Sequence, residues 1–178
     1  RPPANLPDDD LAADMQEAIE ARLAAAGFVH YETSAFALPG HQARHNLNYW
    51  TFGDYLGIGA GAHGKLSFHD RIQRDMRHKQ PAAYLAGVAQ GSQVQTSQPV
   101  AHADLAFEFM MNALRLTEGF ALSLFNERTG LPLSTILPAL EQAQTRGWVQ
   151  RDGDWLRPTL AGQRFLNDLL GLFLPDQD

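Results

Sequence analysis

The sequence predicts an α+β fold: helix–strand units from the end of a partial TIM-like α/β barrel, followed by a helical, winged-helix-like module. Three observations carry that reading. Leu11, Met15, Ala18, Ile19 and Leu23 recur at helical spacing. The stretch after them, "FVHYETSAFA", alternates between two faces as a strand does. Residues 101–178 then order themselves as three helices, a hairpin and a closing helix. The expected division is a barrel end over 1–67, a connector over 68–100 and the winged-helix-like module over 101–178.

Taken in order, Asp8 to Asp10 supply N-capping and dipole-matching carboxylates for the first helix, and Gly27 supplies its C-terminal cap. The strand that follows is expected to run to Ala37, with Pro39-Gly40 breaking it. "HQARHNLNYW" is helical or looped. Tyr55, Leu56 and Ile58 read as a short buried strand entering a turn rich in glycine, at positions 57, 59, 61 and 64. Residues 68–92 are polar and weakly periodic, so they read as a connector, with some helix around Pro81 to Val88. Leu105, Ala106, Phe109, Met110, Ala113 and Leu114 form the apolar stripe of a helix. Phe120 to Thr129 reads as a second helix stopped by Gly130, and Ser134 as the cap of a third, with Pro138 tolerated in its first turn. "WVQRDGDWL" is a hairpin around Asp152-Gly153, and Thr159 opens the last helix.

Composition removes several classes of function. The 178 residues include no cysteine, which excludes disulfides, thiolate zinc sites, cysteine nucleophiles and iron–sulfur ligation by this chain. A net charge of −6 argues against a nucleic-acid surface. The candidate recognition helix after Ser134 carries Arg146 as its single cation, and the wing sets Arg151 against Asp152 and Asp154, so phosphate neutralisation lacks its clustered cations. No apolar run reaches the ~20 residues of a membrane span. The chain opens at Arg1 without methionine or a leader core, and the expectation is a piece cut from something longer.

Two stretches invite chemistry. "GIGAGAHG" contains a GxGxxG match in Gly59, Gly61 and Gly64, but no complete βαβ unit with a ribose-binding acid follows. It is either a tight strand-to-loop turn or the edge of a small-molecule pocket. His41 and His45 stand four apart, as in a helical zinc pair, yet no third ligand accompanies them. His45 differs from the other histidines in its company, "HNLNYW": imidazole ligates haem iron, aromatic rings lie against porphyrin faces, and carboxamides hydrogen-bond to edge groups.

Those residues carry a family resemblance. His45-Asn46-x-x-Tyr49-Trp50, preceded by Tyr31-Glu32-x-Ser34 and Pro39-Gly40 and followed by Tyr55-Leu56-Gly57-x-Gly59, resembles the radical S-adenosylmethionine proteins related to oxygen-independent coproporphyrinogen III oxidase. The likeness is closest to their HemW, or haem-chaperone, branch. "EFMMNALRL", "FNERTG" and "PTLAGQRFLNDLL" extend it, so it covers about Leu11 to Phe173. It implies a haem surface on His45, Asn46, Tyr49 and Trp50, with His45 as the iron ligand. It also implies that Gly57, Gly59, Gly61, Ala62 and His63 form one wall of the S-adenosylmethionine pocket. The family's CxxxCxxC motif binds a 4Fe-4S cluster, and that portion is absent here. No catalytic residue is expected in this chain.

Three functions follow. The first is part of a haem chaperone, with haem or porphyrin and an apo-haem-protein acceptor as partners, a homodimer admitted, and a cytoplasmic setting. The second is anaerobic oxidative decarboxylation of coproporphyrinogen III to protoporphyrinogen IX, against which the HNxxYW string argues. The third is a winged-helix DNA-binding regulator, against which the acidic balance argues.

Overall fold

A computed structural model describes residues 6–175; Arg1 to Asn5, where the leaderless opening was read, and the last three residues lie outside the described residues. The fold is α+β, as expected. It holds a two-stranded and two three-stranded sheets, and every strand pair among the described residues is antiparallel.

Helix α1, Asp9–Ala25, starts where the capping carboxylate predicts: the Asp8 side chain accepts the Leu11 N–H at 2.9 Å. It ends before Gly27, whose φ of 83° is the left-handed conformation glycine adopts freely. The stripe is real but uncovered. Leu11, Met15 and Ile19 are each about half exposed, and no residue of α1 is buried.

The single strand expected over 28–37 is instead a hairpin, β1 Val29–Glu32 and β2 Ala35–Ala37. Thr33 and Ser34 turn the chain because their backbone N–H groups find acceptors outside a continuous strand. The buried Glu32 carboxylate accepts the Ser34 N–H at 3.1 Å, and the Arg115 carbonyl accepts the Thr33 N–H at 3.0 Å. The helix–strand order therefore leads into an antiparallel pair, not a parallel repeat.

Helix α2, Arg44–Trp50, follows. The buried strand expected at Tyr55 to Ile58 does not form. Tyr55 makes an isolated bridge to Lys65, while Leu56 and Ile58 are 68% and 83% exposed. Close backbone approach explains the difference, since a Cβ on Gly57 would lie 2.5 Å from the His63 carbonyl oxygen. Gly59 and Gly61, at φ 108° and 72°, then reverse the chain.

The polar stretch read as a connector holds the central strand of a sheet. β3 His63–Ser67, β4 Ile72–Arg77 and β5 Val94–Pro99 pair in that order, with α3, Pro81–Gln90, between the last two. Strand β4 lacks apolar alternation because polar cross-links hold this sheet: Ser97 Oγ donates to Asp75 at 2.6 Å and Gln73 Nε2 donates to Ser97 Oγ at 2.9 Å.

Helix α4, Leu105–Ala113, carries the main core on Phe109, Met110 and Ala113. The helix expected over 120–129 begins with two strand residues, β6 Phe120–Ala121, before α5, Ser123–Thr129, stopped by left-handed Gly130. Ser134 does not cap the third helix. It lies in a 3-10 turn, Leu133–Thr135, and α6, Leu137–Thr145, starts after it with Pro138 in the first turn. The hairpin β7 Val149–Asp152 and β8 Trp155–Pro158 turns at Gly153 as expected, with β8 central between β6 and β7. Thr159 Oγ1 accepts the Gly162 N–H, but the closing helix breaks at Phe165 into α7, Leu160–Arg164, and α8, Leu166–Gly171. Across these elements Phe52, from the turn after α2, inserts against Phe109, so the two parts of the chain share one core.

Candidate functional site

Helix α2 is seven residues long, and its 3.6-residue period sorts its side chains into rows. Leu47 and Trp50 face the core. His45 and Tyr49 share a row that continues into Tyr55 as an aromatic ladder. The His45 and Tyr49 rings meet edge-on at 4.6 Å, and Tyr49 meets Tyr55 at 4.4 Å. His45 is the open end of that ladder: its imidazole is exposed, and no hydrogen bond among the described residues engages it. His41 lies before the helix begins, so the two histidines do not share a helical face. Among the described residues no group of histidine and carboxylate ligands is placed to hold a metal ion.

The far end of the ladder is fixed. The Tyr55 hydroxyl accepts from Arg74 Nη1 at 3.2 Å, and Arg74 forms an ion pair with Glu108 of α4. Burial opposes the charge on Arg74, yet the Glu108 carboxylate and the Tyr55 hydroxyl hold its pKa above the ordinary value. The adjacent row is Asn46 and Trp50. Asn46 Nδ2 donates to the Tyr31 hydroxyl at 3.3 Å, tying α2 to β1. The Arg115 guanidinium lies over the Trp50 ring at 4.6 Å.

Below the ladder, the turn between α2 and β3 is held by a buried ammonium. Lys65 Nζ donates to the Phe52 carbonyl at 2.9 Å, to Asp54 Oδ1 at 3.1 Å and to Ser67 Oγ at 3.2 Å, and sits 4.1 Å from the Phe52 ring centroid. Burial lowers the Lys65 pKa, with Asp54 opposing. Burial would raise the Asp54 pKa, but the Ser67 N–H and hydroxyl together with Lys65 bring it below the ordinary 3.8. A depressed carboxyl pKa adds stability that is complete above 3.8 and is lost as pH falls through the folded value. The melting temperature is therefore expected to fall more steeply with acid below pH 3.8 in the unaltered chain than in Asp54→Asn. Asp54 is 40% exposed, so solvent screening keeps this difference under about 1 kcal/mol.

The glycine loop rests against this frame. Arg77 Nε donates to the Gly57 carbonyl at 3.0 Å, and the Gly59 N–H donates to the Tyr84 hydroxyl at 3.1 Å. The Gly61 N–H reaches the His78 carbonyl and the Ala62 N–H the Gly59 carbonyl. His63 is the exposed first residue of β3, opposite Met76. The site residues thus gather on an open surface around α2 and the following loop. A cleft of about 600 Å³ between α1 and α7, lined by Glu17, His30, Ser34 and Arg164 among others, contains none of them. Two residues missed in the sequence adjoin the site. Arg115 shows only as a lone cation in an apolar helix end, and Arg74 sits inside a stretch with no apolar period to mark it.

Comparison with known proteins adds a set of relatives. Residues 100–165 match the HemN C-terminal domain. The heme chaperone HemW of Escherichia coli is 45% identical over 99% of this chain, and that of Haemophilus influenzae 42% identical over 99%. Over nearly its whole length the chain is similar to part of those HemW proteins. It spans 46% and 45% of the length of those two relatives. The fold is also that of a solved structure described as "Coproporphyrinogen III oxidase (HemN) from Escherichia coli is a Radical SAM enzyme", with a TM-score of 0.67 at 17% identity over 97% of this chain and 43% of that one.

The cluster and S-adenosylmethionine that the sequence resemblance implies do not find a self-contained site in this chain. It has no cysteine to ligate a cluster. The amides of Gly59, Gly61 and Ala62 already donate within the protein, and the glycines at 57 and 64 are accounted for by contact between the loop and β3. No helix among the described residues is long and apolar enough to cross a membrane.

Proposed function

We propose that this chain is the haem-holding part of a HemW-type haem chaperone, with His45 as the ligand of the iron, Tyr49 beside it on the surface that meets the macrocycle, and Asn46 and Trp50 shaping that surface from beneath by fixing the helix that carries it. The observation that carries the reading is the exposed, hydrogen-bond-free imidazole of His45 at the head of the His45–Tyr49–Tyr55 ladder. A structural histidine is usually held by a hydrogen bond on one ring nitrogen. An imidazole held by ring contact alone keeps both nitrogens available, and one can take a metal. The names borne by the relatives support the same reading. Haem is here cargo, taken up and passed to an apo-haem-protein, and an open surface suits transfer better than an enclosed pocket.

In a full-length protein of this kind, S-adenosylmethionine and the 4Fe-4S cluster belong to the portion this chain does not include, with Gly57, Gly59, Gly61, Ala62 and His63 contributing at most one wall. Residues 1–67 are assigned to a barrel end, residues 101–178 to the winged-helix-like module, and the setting to the cytoplasm.

The test is titration of the purified chain with hemin. A saturable shift of the Soret band is expected, and His45→Ala should weaken binding at least about tenfold, the lower limit for losing even a supporting group around a metal. Binding unchanged in His45→Ala would remove the assigned ligand. No saturable binding would remove the function.

A further inference from the structure

Of the six side chains from His45 to Trp50, four are anchored on their own account. Leu47 and Trp50 pack on the core, Asn46 donates to the Tyr31 hydroxyl and Asn48 to the Asp54 carbonyl. No hydrogen bond among the described residues engages the side chain of His45 or of Tyr49, and the ring pair they form stands in its place. An exposed imidazole held by one neighbour points only as steadily as that neighbour does. Tyr49 in turn meets Tyr55, with ring centroids 4.4 Å apart and planes at 72°.

Tyr55 is fixed at both ends. Its N–H donates to the Lys65 carbonyl and its carbonyl accepts the Lys65 N–H, both at 2.9 Å, so its backbone is clamped to β3. Its hydroxyl accepts from Arg74 Nη1 at 3.2 Å. Arg74 Nε and Nη2 both donate to one Glu108 oxygen, Nε at 3.0 Å, so the rigid guanidinium is not free to turn away. Glu108 stands on α4, the helix that carries the main core. Contact therefore runs unbroken from α4 through Glu108, Arg74, Tyr55 and Tyr49 to the His45 imidazole.

We propose that Tyr55 is a positioning residue for the haem ligand: through Tyr49 it sets the direction in which the His45 imidazole leaves the surface. The inference rests on the function proposed above and adds how a ligand without a hydrogen bond of its own is aimed. A ligating histidine is ordinarily aimed by donating its other ring N–H to a carboxylate or a carbonyl. Here ring contacts take that part, and both nitrogens stay free of protein acceptors among the described residues. The porphyrin plane stands across the iron–nitrogen bond, and that bond lies in the plane of the imidazole. One imidazole direction therefore means one tilt of the macrocycle over α2, and a wandering imidazole means many.

Tyr55→Leu removes the ring and the hydroxyl, and Tyr55→Phe the hydroxyl alone. Without hemin, NMR of the unaltered chain is expected to show the His45 ring protons displaced from the shifts of a free histidine. Tyr55→Leu should return them most of the way and Tyr55→Phe part of the way. Ile136→Val, a core truncation outside the ladder, should not move them. With hemin, Tyr55→Leu should bind about two- to tenfold more weakly, the worth of one edge-on ring pair. Electron paramagnetic resonance of its ferric form should spread from one set of g values into a distribution. Unmoved His45 resonances in folded Tyr55→Leu would overturn the inference and leave the proposed function standing. If that variant does not fold, Tyr55→Phe decides: His45 signals identical to those of the unaltered chain would overturn the inference equally. Absence of saturable hemin binding by the unaltered chain would overturn the proposed function, and with it the part given to Tyr55.

Discussion

Phe109→Ala is expected to destabilise the fold by about 3–5 kcal/mol, the cost of deleting a large buried ring whose surroundings cannot close over the gap. Phe109 is fully buried and meets three other rings edge-on: Phe52 at 5.7 Å, Phe120 at 5.5 Å and Phe125 at 5.3 Å. Those partners come from the turn after α2, from β6 and from α5, so no single element can move in without pulling away from the others. Part of the loss is apolar transfer and part is edge-to-face contact, worth roughly 0.5–1.5 kcal/mol per pair. Phe52 is also the clamp between the α2 surface and the α4 core, and its φ of 55° is uncommon for a side chain of that size. Packing and the Lys65 hydrogen bond hold it there. Denaturant unfolding of Phe109→Ala should therefore show one shifted transition, with amides of 44–54 losing exchange protection along with those of α4. A loss below about 1 kcal/mol would mean that the shared aromatic core is not what joins the two parts.

Much of this arrangement was legible in the sequence where the signal is local. Asp8, Thr159, Gly27, Gly130 and the Asp152-Gly153 turn mark boundaries by capping and backbone chemistry that acts over three or four residues, and the structure places them accordingly. The failures share a cause. Alternation over 28–37 fits one strand or a tight hairpin equally well, and the choice rests on Arg115, about eighty residues away, accepting from Thr33. Strand β4 has no apolar face to betray it, because Arg74, Asp75 and Gln73 are satisfied by partners on α4 and β5. Apolar Leu56 and Ile58 looked buried, but glycines on either side bring backbone to backbone and push those side chains outward. The stripe on α1 shows how far periodicity goes: it identifies a face without identifying what lies on it.

The same division holds for the candidate site. A string of aromatic, amide and imidazole groups in six residues identified α2 as unusual, and the rows of a helix explain how the string divides its tasks. Leu47 and Trp50 attach it to the core, Asn48 holds the following turn through the Asp54 carbonyl at 2.9 Å, Asn46 reaches Tyr31, and His45 with Tyr49 is left for the surface. Arg115 was invisible because its distinction, a guanidinium lying over Trp50 with no ion-pair partner among the described residues, is a property of three-dimensional surroundings.

The second large effect is expected at Lys65. Lys65→Ala should cost about 3 kcal/mol, near the lower end for removing one member of a buried ion pair, because the remaining Asp54 is 40% exposed and water can reach it. The loss comes from elsewhere in the network. The carbonyl of strained Phe52 would lose the donor that fixes it, and the aliphatic stem would leave a void under the turn. Burial weighs more on the lysine than Asp54 returns, which is why its pKa is lowered. The charge itself then contributes little to stability, and Lys65→Met, which keeps most of the stem and removes the ammonium, should cost about 1–2 kcal/mol less than Lys65→Ala. What the methionine cannot do is donate to Phe52, Asp54 and Ser67 at once, so α2 should lose its register against β3 even where the fold survives. Lys65→Met is therefore expected to fold yet bind hemin more weakly than the unaltered chain, with the Soret position of the bound form broadened by mixed geometries. Equal losses of stability in the alanine and methionine variants would show that the ammonium, and not the packing of its stem, supports the turn.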